Sequence, residues 1–120
     1  SADQYLYVDM NQDKDVWLEK VDTTKRVSDY MIGMKLKNVR KVSLSVPKGM
    51  RVQELPAPFA SHTHWADLSC TFSKQGNRVV MKKEYVIKNR RVALKDILEW
   101  NKLVSEWNDA CNEQVVLQTK

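Results

Sequence analysis

Apolar and polar positions alternate most cleanly over residues 39–46. Val42, Leu44 and Val46 point one way, and Lys41, Ser43 and Ser45 the other. A period of two is that of a half-buried strand. Pro47-Lys48-Gly49 ends it, since proline lacks the ladder donor and glycine permits a sharp turn. Met50 to Leu55 continues as a short extended segment, stopped by Pro56 and Pro58. A second alternation pairs two segments into a hairpin. Ala66, Leu68, Cys70 and Phe72 alternate with Asp67, Ser69 and Thr71 between Trp65 and Phe72. Val79, Met81, Tyr85 and Ile87 form the matching row between Arg78 and Ile87, around the turn Gln75-Gly76-Asn77-Arg78. A two-residue loop at Gly76-Asn77 sets Phe72 opposite Met81 and Leu68 opposite Tyr85. A four-residue loop keeps the same faces with shifted partners, and a three-residue loop flips them and spoils the burial. Lys83 falls on the apolar row and is its one misfit, expected to snorkel or to sit at an edge.

Residues 94–112 change period. Ile97, Trp100, Leu103, Val104, Trp107, Ala110 and Cys111 fall within an arc of about 140° at helical spacing. Lys95, Glu99, Lys102, Glu106 and Asp109 lie opposite. The pattern predicts an amphipathic helix with Asp96 as its N-cap and Asn112 as its C-terminal stop. Tyr5–Met10 reads as a first strand, Val16-Trp17-Leu18 as the start of a short one, and Val115-Val116-Leu117 as a last one. Residues 21–30 carry only a weak pattern. Strands dominate and no β-α alternation appears, so a doubly wound fold is not expected. The expected fold is mainly β: an antiparallel β-sandwich with one long C-terminal amphipathic α-helix and a short terminal strand.

Composition narrows the class. The 120 residues are 42% hydrophobic and 29% charged, which suits one globular domain over residues 1–120. No apolar run nears the roughly 20 residues of a membrane-spanning helix, and no signal-peptide core is present in this stretch. The formal net charge of +5 invites an acidic partner. However, Glu84, Asp96, Glu99, Glu106 and Asp109 are scattered among the bases, and a mixed solvated surface is the better reading than a nucleic-acid footprint. Lys88-Asn89-Arg90-Arg91 is too short a basic loop to specify phosphate binding. Both ends of the chain read as cuts, and we expect a domain of a longer protein.

Few residues offer chemistry. His62 and His64, at i and i+2, would share a face if both lay on a strand, and could then begin a zinc site. A third ligand is missing, because Asp67 would face differently from His64; polar surface is the simpler reading, and no metal or cofactor is expected. Cys70 with His62 or His64 suggests a thiol nucleophile. Cys70 alternates with Leu68 and Phe72, though, and so points into the core, where a reactive thiolate is not maintained. Cys70 and Cys111 are expected as small buried hydrophobes, with one disulfide left open by the sequence. Of the four tryptophans, Trp100 and Trp107 belong to the helix stripe. Trp65, on the face of Asp67, Ser69 and Thr71, is expected to be partly exposed. It forms, with His62 and His64, the one tentative contact for a glycan or protein ligand.

Three stretches together carry a family resemblance: Leu44-Ser-Val-Pro-Lys-Gly-Met-Arg-Val-Gln-Glu-Leu-Pro56; Gly76-Asn-Arg-Val-Val80 leading into Lys82-Lys-Glu-Tyr85; and Val92-Ala-Leu-Lys-Asp96 followed by Trp100 and Asn112-Glu-Gln-Val-Val-Leu117. Over about residues 39–117 the chain resembles the C-terminal domain of unknown function that follows a transglutaminase-like, papain-type domain in large bacterial envelope proteins; Arg26 and Tyr30 echo the family more loosely. The resemblance implies an N-terminal β-sandwich, a central domain with a Cys-His-Asp triad, and then this module. No triad motif matches positions here, so no catalytic residue is carried over. The implied role is a non-catalytic accessory domain that packs on or orients the upstream catalytic domain, in the periplasm or cell envelope of a Gram-negative bacterium. The alternative is a glycan- or protein-binding module of the envelope.

Overall fold

The computed structural model describes residues 4–12, 20–21, 28–32 and 37–120. Among these, nine strands and one α-helix run in the order β1 (Tyr5–Val8), β2 (Tyr30–Met31), β3 (Lys37–Ser45), β4 (Met50–Glu54), β5 (Phe59–His62), β6 (Ala66–Gln75), β7 (Arg78–Ile87), β8 (Arg91–Val92), α1 (Ile97–Cys111) and β9 (Val115–Thr119). A 3₁₀ turn, Leu94–Asp96, precedes α1. The fold is mainly β and antiparallel, as the alternation predicts. A four-stranded sheet has the order β3-β7-β6-β5, a three-stranded sheet the order β1-β9-β4, and β2 pairs with β8. One hydrophobic core takes Leu68, Val79 and Met81 from the larger sheet, Val115 and Leu117 from the smaller, and Trp100, Val104 and Trp107 from the helix.

The β6–β7 hairpin has the two-residue loop. Gln75 faces Arg78, Phe72 faces Met81 and Leu68 faces Tyr85. Gly76 takes a left-handed φ of 63°, which a side chain disfavours and glycine does not. The chain leaves the larger sheet at Pro47-Lys48-Gly49. There Met50 N donates to Pro47 O at 3.0 Å and Gly49 has φ 87°. A positive φ at the third residue of such a turn is the type II signature. Beyond it, β4 pairs with β9, with an irregularity between Val52 and Glu54. β9 thus lies between the first strand and β4, and its residues Val115, Leu117 and Gln118 are buried.

Several expectations are corrected. Lys83 neither snorkels nor sits at an edge. It is 3% exposed on β7, an interior strand, and its Nζ donates to Asn11 Oδ1 at 2.6 Å. Asn11 Nδ2 in turn donates to Asn112 Oδ1 at 2.9 Å. A buried ammonium is tolerated because polar partners replace water. Asp96 stands at the N-cap of α1 but makes no side-chain cap bond. The carboxylate serving this end is Asp29, whose Oδ1 accepts Leu94 N–H at 2.9 Å. Strand β5 and the β2–β8 pair are additional to the sequence-predicted elements. The segment Val16-Trp17-Leu18 and residue Arg26 lie outside the described residues.

The helix docks by its tryptophans. Trp100 is fully buried, with Tyr30 at 6.0 Å and Trp65 at 5.9 Å between ring centroids, the latter edge-to-face. Trp107, also fully buried, meets the Phe59 ring edge-on at 6.1 Å. Asn101 adds a two-way amide clasp, accepting Val21 N–H at 2.7 Å and donating to Val21 O at 2.9 Å. Cys70 and Cys111 form no disulfide; each is 1% exposed, on the inner faces where their patterns place them.

Candidate functional site

The connection between β5 and β6 brings the candidate ligand residues together. Its backbone is shaped by Thr63. The Thr63 hydroxyl accepts Trp65 N–H at 3.2 Å and Ala66 N–H at 3.1 Å, and donates to Ala66 O at 3.1 Å. Short hydroxyl side chains favour such turns because they bond the backbone one turn ahead. Trp65 O then accepts Lys88 N–H at 2.7 Å and Asn89 N–H at 3.1 Å, tying the turn to the end of β7.

This geometry corrects the expected exposure of Trp65. The alternation that would put it beside Asp67 begins only at Ala66, and the turn swings Trp65 inward. It is 2% exposed and packs against Trp100. It presents no open ring face for stacking on a sugar. Its indole N–H is buried with no hydrogen-bond partner among the described residues. Beside it a recess of about 380 Å³ is lined by Ser61, Thr63, Glu99, Lys102 and Glu106. Sequence reasoning missed Ser61, because β5 was not foreseen. The helix residues were seen only as a solvated face.

The two histidines part company. β5 ends at His62, so His64 belongs to the turn rather than to a shared strand face. The His64 ring lies over Trp65, with centroids 4.2 Å apart. His62 Nδ1 bonds Asp67 Oδ1 at 3.0 Å, and Lys88 Nζ reaches the same oxygen at 3.1 Å. His62 and then Lys88 hold the Asp67 carboxyl below its ordinary pKa. A carboxylate accepts, so this pair orients the imidazole with its proton on Nδ1 and Nε2 turned away from Asp67. Such a pair can position a base or a metal ligand, yet the His62 side chain is 75% exposed. Among the described residues no group of three His, Cys, Asp or Glu is placed to hold a metal ion. What this corner offers is an oriented, solvent-facing polar surface with hydrogen-bonding capacity.

Comparison with known proteins bears on the fold. A family model, a domain of unknown function with a solved structure, matches residues 4–117. A crystal structure from Parabacteroides distasonis, of a protein provisionally described as a protease, superposes with a TM-score of 0.72 at 12% identity. The superposition covers 95% of this chain and 23% of that one, so the present chain spans under a quarter of that protein's length. At such identity the likeness is one of fold alone. No curated protein matches.

Proposed function

Because this chain belongs to the DUF3858 family of domains of unknown function, we propose that it is a non-catalytic accessory domain that packs on and orients a catalytic domain of the same polypeptide. Strand β1 carries the reading. Among the described residues it is an edge strand, hydrogen-bonded on one side to β9. Tyr5, Leu6 and Tyr7 are 49%, 44% and 58% exposed. Consecutive strand residues point to opposite faces, so both faces of β1 carry exposed side chains, and its outer edge is unpaired among the described residues. An apolar edge strand of this kind is a liability in a free domain, since it invites pairing. Covered by a neighbouring domain, it becomes an interface. The superposition supports the same reading, as this fold there makes up under a quarter of a longer chain.

The neighbour's provisional description as a protease is consistent with a papain-type partner domain bearing a Cys-His-Asp triad upstream. The transglutaminase-like partner and the periplasmic or envelope setting rest on the sequence resemblance. A glycan- or protein-binding module is the second reading. The recess beside Trp65, with two hydroxyls and two carboxylates on its walls, is the observation that favours it.

Hydrogen exchange tests the first reading. The outward amides of β1 are expected to exchange freely in the 120-residue chain and to be protected in the longer gene product. In that longer protein, Leu6→Lys should restore fast exchange. Equal exchange in the two forms, or a gene ending with this domain alone, would refute the proposal.

A further inference from the structure

Three segments distant in sequence converge at one end of the sandwich, around the two glycine turns. Val46–Val52, Lys74, Gly76 and Asn77 of the hairpin tip, and Lys120 line a recess of about 500 Å³. Its lining holds four cationic side chains, Lys48, Arg51, Lys74 and Lys120, and no carboxylate side chain. Some bases elsewhere have acidic partners: Lys82 with Glu84, Lys88 with Asp67, Arg91 with Asp29. Here Lys48, Lys74 and Lys120 have no ion-pair partner among the described residues. Arg51 commits one nitrogen, Nη2, to Gln118 Oε1 at 2.9 Å.

We propose that this recess is a binding site for phosphate-bearing ligands. Like charges gathered with no carboxylate side chain among them repel one another, and an anion that neutralises several at once removes that cost. A single carboxylate carries one charge and leaves three cations uncompensated. A phosphate or short polyphosphate carries two or more, with oxygens directed to several donors. The turns suit a close approach. Gly49 and Gly76 hold φ of 87° and 63°, and the space where a Cβ would stand is open at both, so backbone and ligand can meet. A recess of this size admits a few phosphate groups, whereas a nucleic-acid duplex needs an extended basic stripe. The end of β9 completes the site, since Lys120 N donates to Gly49 O at 2.9 Å and fixes the last lysine beside the first turn.

The test titrates the ¹⁵N-labelled chain with inorganic tripolyphosphate at low ionic strength, with acetate at matched ionic strength as comparison. Localised, saturable shifts are expected at Gly49, Gly76 and Asn77 with tripolyphosphate and not with acetate. Lys48→Gln combined with Lys74→Gln should weaken binding roughly tenfold or more, at roughly three- to fivefold per exposed charge. Lys95→Gln, in the 3₁₀ turn before α1 and outside the recess lining, should leave it unchanged. Binding should fall steeply with added salt. Vesicles containing phosphatidylglycerol separate a lipid headgroup from soluble phosphate as the source. Binding to either supports the site. Shifts scattered over the surface, equal shifts with acetate, or undiminished affinity in a double variant whose melting temperature is unchanged would overturn it.

Discussion

Trp107→Ala tests whether the C-terminal helix is held by its tryptophan stripe. The side chain is fully buried, so truncation removes its whole apolar contact and leaves a hole that the sheet cannot readily fill. Large aromatic-to-alanine changes in cores cost about 3–5 kcal/mol. The edge contact with Phe59 accounts for about 0.5–1.5 kcal/mol of this. Against a total stability of about 5–15 kcal/mol, roughly a fifth or more of the margin is lost. For a domain of this size each kcal/mol shifts the melting temperature by about 3–5 °C, so the midpoint should fall by about 10–20 °C. Leu98→Ala is the matched comparison. It lies on the same helix, introduces the same residue and is 73% exposed, so its cost should stay within about 0.5 kcal/mol. Urea unfolding followed by tryptophan fluorescence and far-ultraviolet circular dichroism measures both. If Trp107→Ala costs under 1 kcal/mol, or if Leu98→Ala costs as much, the helix is not held by this stripe and the reasoning fails.

Backbone conformation and acid sensitivity give two further expectations. Gly76→Ala should destabilise by about 1–2 kcal/mol through the left-handed conformation alone, since the added methyl meets nothing; an unchanged urea midpoint would refute this. Asp29 is held below its ordinary pKa, first by Leu94 N–H and then by the Arg91 side chain. The folded state therefore binds this proton less readily than the unfolded one. Its stabilisation is fully present above the unfolded pKa, near 3.9, and is lost as pH falls through the lower folded value. Asp29→Asn should lower stability at pH 7 and flatten the decline between about pH 5 and pH 2; parallel pH profiles for variant and parent would contradict the assignment.

The hairpin and helix were legible in the sequence because their signals are local. Leu68, Cys70 and Phe72 alternate over enough residues to set a face, and Gly76-Asn77 sets the register through one short loop. The helix stripe repeats over four turns, so its buried residues could be named individually. β5 lacked that signal. Four residues follow Pro58, and Phe59 and Ser61 alone mark the inner face, too few to show a period. The pairing of β2 with β8 rests on two residues from each strand, in segments far apart in sequence. Trp65 was misplaced because Thr63 imposes a turn where the alternation was extended backwards by one residue.

The remaining misreadings share one physical origin, which is that charge is settled by tertiary partners. Lys83 looked like an error on an apolar row. Its partner Asn11 stands 72 residues earlier, beyond any periodicity that a strand could display. Asp29 serves the start of the helical region from 65 residues away, while the adjacent Asp96 caps nothing. The basic residues seemed evenly diluted by acids along the chain, and this counted against an anionic ligand. Folding undoes that dilution at the recess where the β3–β4 turn, the β6–β7 tip and the end of β9 meet. The same strand β9 is paired on its other side with β1, whose tyrosines and leucine stay open. The unsatisfied features of this domain, an apolar edge and an uncompensated cationic recess, thus lie on two flanks of one strand that no local pattern could have revealed as their common support.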